Sequence, residues 1–361
     1  MTVLKPLTTQ LIASYAKPEW LVNRQRCFRL DGSAWRVSPP YLKAAKQDAA
    51  LLAIYEQEKA GIDLLTDGDA QRAAYDRHFY SRFKGIDSKN LGRIVRDNEI
   101  DSISETAPEK MDEANWVRTY GPRIVGEISW PGPLSVDEFV FARAQTNKPL
   151  KTTVVGPLTA YAKLVDEFYH DEEAAVMALA GALNRELLAL QAAGADVLQI
   201  KEPSFNSNFS RAKRLGIAAM ERVTAGLNLP VIVHVCYGYA FFRSSKSPRA
   251  NYGEVLELLA SCDGVTGISL EYEQPGHQAE LLRHCGSKHI LLGLLNLGSD
   301  EAETPGHIAN RLRQALEVVP PERLHPAPDC GMWHLPRELA FKKISALVDG
   351  TRMVRREAGL L

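Results

Sequence analysis

The sequence predicts an α/β fold: a single (β/α)8 (TIM-type) barrel over residues 1–361, with an insertion between the second and third strands. Three observations lead there. Short apolar runs recur along the chain, amphipathic stretches separate them, and one polar segment, about 84–148, interrupts the rhythm. Strands that read as unbroken apolar runs between helices imply a parallel sheet covered on both faces. Eight such units in 361 residues suggest closure into a barrel. A doubly wound open sheet competes. No Gly-x-Gly-x-x-Gly follows any strand, however, so the dinucleotide-binding version of that fold has no support.

Taken in order, the strand candidates are Gln10–Tyr15, Ile62–Thr66, Thr152–Gly156, Ala195–Ile200, Pro230–Tyr237, Val265–Glu271, His289–Leu295 and Leu324–Cys330. Apolar residues at three- and four-residue spacing predict helices over Asp48–Ala60, Glu173–Ala193, Tyr252–Ala260, Pro305–Val318 and Pro336–Val348. Gly61 and Gly194 follow two of these, where a left-handed residue ends a helix. Within the polar segment, Val136–Arg143 reads as one short helix. Extra length there is expected, because barrels accumulate it in the loops of one face.

Composition narrows the function. With 43 Lys+Arg, 44 Asp+Glu and a net charge of −1, nothing electrostatic points to nucleic acid or an anionic membrane. No run of about 18 apolar residues exists, and Met1–Leu7 lacks the apolar stretch of a signal peptide, so a cytoplasmic protein is expected. Five scattered cysteines do not form a disulfide framework. Cys262 and Cys285 follow helical patterns and read as structural; Cys27, in the N-terminal loop, receives no role.

The sharpest chemical feature is the run Val231-Ile232-Val233-His234-Val235-Cys236-Tyr237-Gly238. His234 and Cys236 are two apart, so on a strand they project from one face. The buried run before them puts both at the C-terminal mouth of a barrel, where such folds keep their chemistry. An imidazole and a thiol so placed suit zinc, although a core histidine beside an apolar cysteine is the commoner finding for this pair alone. Two further strand ends change the balance. Pro328-Asp329-Cys330-Gly331 brings a second cysteine, and Ile268-Ser269-Leu270-Glu271 ends an apolar run on a carboxylate. Burying that carboxylate without a partner would cost several kcal/mol. His234, Cys236, Glu271 and Cys330 fit one tetrahedral zinc site.

These residues carry a resemblance. The chain resembles the catalytic half of the cobalamin-independent methionine synthases, in a short form without the N-terminal duplicate barrel. The matching motifs are Ile12-Ala13-Ser14-Tyr15, Thr66-Asp67-Gly68-Asp69, Val155-Gly156-Pro157-Leu158-Thr159, Gln199-Ile200-Lys201-Glu202-Pro203, His234-Val235-Cys236-Tyr237, Ile268-Ser269-Leu270-Glu271 and Pro328-Asp329-Cys330-Gly331. Seven motifs in order are far more specific than any one. The resemblance implies a zinc-dependent methyltransferase whose metal, on His234, Cys236, Glu271 and Cys330, receives the thiol of homocysteine and yields methionine. Such chemistry needs a metal because a thiol with a pKa near 8.5 is mostly protonated at neutral pH, and only the thiolate is a good nucleophile.

The resemblance also assigns partners and further residues. The partners are a small thiol and a methyl donor, either methyl-folate or a methyl-corrinoid on a carrier protein. Ile12, Ser14, Asp69, Lys201 and Tyr237 are expected to bind substrate, and Glu202 and Asp329 to serve catalysis. The chain departs from the family pattern at four places: Lys201 replaces the acid that binds the amino group of homocysteine, Asp69 replaces a glutamate, Ala13 replaces a glycine, and Asn296–Ser299 lacks a histidine. Lys201 admits two readings. It turns outward or pairs with Glu202 or Asp69 without touching substrate, or it meets an anion on a thiol other than homocysteine, as in zinc barrels that alkylate coenzyme M from an epoxide or methyl-corrinoid. Tyr237, Tyr239, Phe241 and Phe242 form either an aromatic rim for an apolar donor or ordinary packing. A non-catalytic zinc-binding barrel is the remaining alternative.

Overall fold

The computed structural model describes residues 3–26, 32–94, 120–238 and 246–360. Among them run nine strands: β1 (Lys84–Arg93), β2 (Tyr120–Ser129), β3 (Lys151–Val155), β4 (Val165–Asp166), β5 (Val197–Lys201), β6 (Val231–Val235), β7 (Gly267–Leu270), β8 (His289–Gly293) and β9 (Leu324–Ala327). Strands β3, β5, β6, β7, β8 and β9 lie side by side in that order, every pair parallel. Five of these six, β3, β5, β6, β7 and β9, are buried at every position, as expected in a sheet covered on both faces.

The sequence signals at helix ends are physical. Asp171 accepts hydrogen bonds from the amides of Glu173 and Ala174 at the start of the helix Glu172–Ala192, whose two leading glutamates complement the helix dipole. Pro39 opens a helix that runs to Ala60 and ends on Gly61 at φ 92°. This helix starts nine residues before the predicted Asp48, because a proline pair at its first turn extends it beyond the periodic stretch. The helix Phe209–Thr224, absent from the predicted set, fills the place between β5 and β6. The last helix, Arg337–Glu357, continues nine residues past Val348.

Two predicted strands take a different form. Gln10–Tyr15 and Ile62–Thr66 are present as isolated parallel bridges, Gln10 with Leu64 and Leu65 with Leu150, rather than as regular strands. A strand cannot run on through Ala13, whose φ is 81°. The Gln10 amide also donates to the Pro326 carbonyl of β9 at 3.1 Å. A compact cluster joins Ile12 and Leu64 to Val197, Ile232, Leu291 and Ala327 of the sheet, separate from the larger core.

The polar segment holds more than its one predicted helix. Strands β1 and β2 pair antiparallel, with register shifts that blur any alternation in the sequence, and β2 pairs with β4. The helix Val136–Arg143 is present. Glu186, wholly buried on the helix Glu172–Ala192, ties this segment down. Its carboxylate accepts from the Trp130 indole at 2.7 Å, the Ser135 amide at 2.8 Å and the Ser135 hydroxyl at 2.7 Å.

Candidate metal and thiol site

The register of the parallel sheet builds the site. Lys201, the last residue of β5, sits opposite His234 of β6, which sits opposite Ser269 of β7, so the three share one face. His234, Cys236 and Cys330 converge there: their ligand atoms lie within 4.8 Å of one another, and all three are buried. Ser269 fixes the imidazole by a 2.9 Å hydrogen bond at Nδ1. That leaves Nε2 buried and without a hydrogen-bond partner. Asn206 holds the Cys236 carbonyl at 3.0 Å and is itself held by Arg249. The Cys236 thiol beside it, together with burial, pushes the Cys330 thiol well above its ordinary range. Two sulfurs and an imidazole in a dry pocket are a soft donor set of the kind zinc takes. A buried ring nitrogen with no hydrogen-bond partner among the described residues fits the same occupant.

Glu271 is not part of that cluster. Its fully buried carboxylate accepts from the Lys246 ammonium at 2.8 Å, and Lys246 also donates to the Gly238 carbonyl at 2.6 Å. Burial pushes the Glu271 carboxyl up to about 8, with Lys246 opposing. Its second oxygen has no hydrogen-bond partner. Lys246 had no signal in the sequence: it stands in a Ser-Lys-Ser-Pro stretch that resembles any exposed loop.

A cavity opens onto the cluster, lined by Ile12, Ser14, Tyr75 and Lys201 together with His234, Cys236 and Cys330. Asp69 is buried beside it at φ 48°. One carboxylate oxygen accepts from Lys201 at 2.5 Å and Ser14 at 3.0 Å; the other accepts from Arg72 at 3.2 Å and Thr153 at 3.2 Å. Burial alone would raise this carboxyl, but Lys201 and then Arg72 win and hold it well below the usual range. Of the two readings of Lys201, its pairing with Asp69 is present. Arg72 continues the chain of charge outward to Glu138 at 2.9 Å.

Glu202 follows β5 and Asp329 follows β9, and the oxygens of each are taken mainly by backbone amides. Glu202 accepts from the amides of Leu158 at 3.0 Å and Thr159 at 2.8 Å, and from the Thr159 hydroxyl. Asp329 accepts from the amides of Tyr272 and Glu273, both at 3.0 Å, and of Gln274 at 2.6 Å, which pins the loop after Glu271. Burial pushes Glu202 up to about 7 and Asp329 up to about 6, against these hydrogen bonds. Glu202 thus binds the first turn of the short helix Pro157–Tyr161, and Asp329 binds the loop after Glu271. The Tyr237 hydroxyl lies 3.0 Å from His277, its ring packs at a tilt against Tyr252, and Tyr237 is not among the residues that line the cavity. Tyr239, Phe241, Phe242 and Cys27 lie outside the described residues. Cys262 and Cys285 are buried free thiols that burial pushes up to about 11 and about 12, as inert structural cysteines should be. No described helix is long and apolar enough to cross a membrane.

Comparison with known proteins agrees with the geometry. A family model described as the catalytic domain of cobalamin-independent synthase matches residues 7–353. A methionine synthase of Saccharolobus solfataricus is 30% identical, over 99% of this chain and 97% of its own. One from Sulfurisphaera tokodaii is 29% identical, over 99% and 95%. The solved structure of a B12-independent methionine synthase from Shewanella sp. W3-18-1, in complex with selenomethionine, is similar with a TM-score of 0.84. It is 29% identical, over 99% of this chain and 100% of that one. A methyltransferase from Methanosarcina mazei, 14% identical with a TM-score of 0.60, shares the fold.

Proposed function

The chain belongs to the cobalamin-independent synthase family, and on that premise we propose that it is a zinc-dependent methyltransferase acting on a small thiol, homocysteine by family, with a methyl donor such as methyl-folate. The observation that carries this reading is the buried convergence of His234, Cys236 and Cys330 on a cavity, with the His234 Nε2 unsatisfied. These three would hold the metal, and Glu271 would be the fourth donor on release from Lys246. A bound zinc ion supplies Lewis acidity, which makes a thiolate available at neutral pH.

The chain's own residues do the rest. Ser269 holds the His234 ring so that Nε2 faces the cavity. Ser14 and Lys201 present polar groups to the acceptor, Asp69 orients both, and Ile12 supplies an apolar wall. Glu202 and Asp329 position the loops that frame the mouth. The whole of 1–361 then forms one barrel with an insertion at about 84–148. Support for closure comes from the Gln10–Pro326 hydrogen bond and the Gln10–Leu64 and Leu65–Leu150 bridges, which link the two edges of the six-stranded sheet. The fully buried Lys151 ammonium adds to it by joining Gln10, the Leu11 carbonyl and Gln199 from inside.

The test pairs metal content with turnover. Purified protein should carry one zinc per chain and form methionine from homocysteine and methyl-folate. His234→Ala combined with Cys330→Ala should lose both while remaining folded. Zinc retained by that variant would mean the ligands are wrong. A non-catalytic zinc barrel is the poorer reading, because the cavity gives a small molecule access to the three donors.

A further inference from the structure

The charge in the cavity says which end of the acceptor the site recognises. Among the described residues that line it, Lys201 is the only one with a permanent charge, and no carboxylate lines it. The nearest acid, Asp69, offers about four lone-pair sites, and four donors already occupy them: Lys201, Ser14, Arg72 and Thr153. Two of those donors are cations, and Arg72 is turned away to Glu138 as well, so Lys201 is the cation of this group that faces the cavity. An ammonium group on a substrate would meet the Lys201 ammonium and find no free carboxylate. A carboxylate on a substrate would meet a buried cation, whose hydrogen bonds are one at 2.5 Å to Asp69 and a long one of 3.5 Å to Ser14. The sheet register sets Lys201 directly beside His234, so anion and sulfur would be bound by neighbouring residues on adjacent strands.

We infer that Lys201 is the specificity-determining residue for the thiol acceptor, recognising a carboxylate (or an equivalent anion) three or four atoms from the sulfur, while an amino group contributes nothing to binding. This rests on the thiol-transferase reading above and deepens it. The class of acceptor is therefore a short mercapto-acid; homocysteine qualifies through its carboxylate, not its amine.

The experiment uses the full chain loaded with cobalt(II) in place of zinc and follows the visible absorption on titration with three thiols. They are homocysteine, 4-mercaptobutyrate (the same chain without the amine) and 3-aminopropanethiol (the same chain without the carboxylate). Homocysteine and 4-mercaptobutyrate should bind within about threefold of each other, and 3-aminopropanethiol at least about thirtyfold more weakly, since hydrogen bonds to charged groups are the strong ones. Lys201→Arg should keep this order and Lys201→Gln should abolish it. Homocysteine binding more than about thirtyfold tighter than 4-mercaptobutyrate, or 3-aminopropanethiol binding as well as either, overturns the inference and leaves the transferase reading intact. A spectrum that no thiol alters overturns the transferase reading, and this inference with it. The wild-type comparison decides the matter even if a Lys201 variant fails to fold.

Discussion

The carboxylate of Glu202 occupies the space that a side chain on Gly156 would need: a Cβ there would lie 2.1 Å from the Glu202 Oε2. The same arrangement recurs at another strand end, where a Cβ on Gly293 would lie 2.2 Å from the Asp329 Oδ1. Each buried acid reaches across the end of a neighbouring strand to catch a row of loop amides, and only a glycine lets it pass.

Gly156→Ala and Gly293→Ala should therefore each destabilise the protein by about 1–3 kcal/mol, the usual cost of forcing atoms into a packed site. Gly306→Ala is the control. It lies in the helix Pro305–Leu316 with nothing within 4 Å of its would-be Cβ. That change should be neutral or stabilise by about 0.5–1 kcal/mol. Urea unfolding of the three variants ranks them; equal effects would show that the carboxylates can move aside.

Glu202 should make stability depend on pH. Its folded value is raised from the ordinary 4.5 to about 7 by burial. Ionisation is then harder in the folded chain, so its contribution is full below pH 4.5 and is lost as pH rises through 7. The stability of wild type relative to Glu202→Gln should fall by about 3 kcal/mol between about pH 4.5 and 7.5, because each tenfold difference in proton affinity between folded and unfolded chain is worth about 1.4 kcal/mol. A difference that stays flat with pH contradicts the assignment.

The Lys246–Glu271 contact leads to a metal-dependent prediction. Removing one partner of a buried ion pair costs about 3–5 kcal/mol, and Lys246→Met leaves Glu271 alone. If Glu271 is a zinc donor, the metal replaces the missing cation. The melting temperature of Lys246→Met should then fall well below wild type in the metal-free protein and recover most of that gap with zinc. An equal deficit with and without zinc removes Glu271 from the ligand set.

Asp69 and Lys201 should be unequal partners. Lys201→Met leaves Asp69 with Arg72, so its cost should sit near the low end, about 3 kcal/mol. Asp69→Asn leaves the buried Lys201 facing a neutral amide, while Arg72 keeps only Glu138, and should cost more, about 5 kcal/mol. A double-mutant cycle by urea unfolding should show coupling between them. Independent, additive effects would contradict the pair.

The parallel α/β pattern, six of the eight predicted strands, the metal-ligating types at strand ends and the family were all legible in the sequence. Each rests on local rules: a buried strand is apolar throughout, side chains alternate with period two, and His234-x-Cys236 must share a face. The departure at Lys201 was equally visible, because it is a change of charge at one motif position. Which partner each charge takes was legible only as alternatives, Asp69 or Glu202 for Lys201, and not at all for Glu271. Lys201 is 132 residues from Asp69 in the chain, and only the parallel register brings them to 2.5 Å. Lys246 and Arg72 sit in stretches with no pattern, and they gain meaning only from the carboxylates that burial sets against them. Glu202 and Asp329 stand out in the sequence as acids at strand ends; the backbone amides that each accepts from, at Leu158–Thr159 and Tyr272–Gln274, are visible only in three dimensions. A sequence states what donors and acceptors exist. Packing alone decides which are buried together, and a buried charge must be met by whatever the fold places beside it.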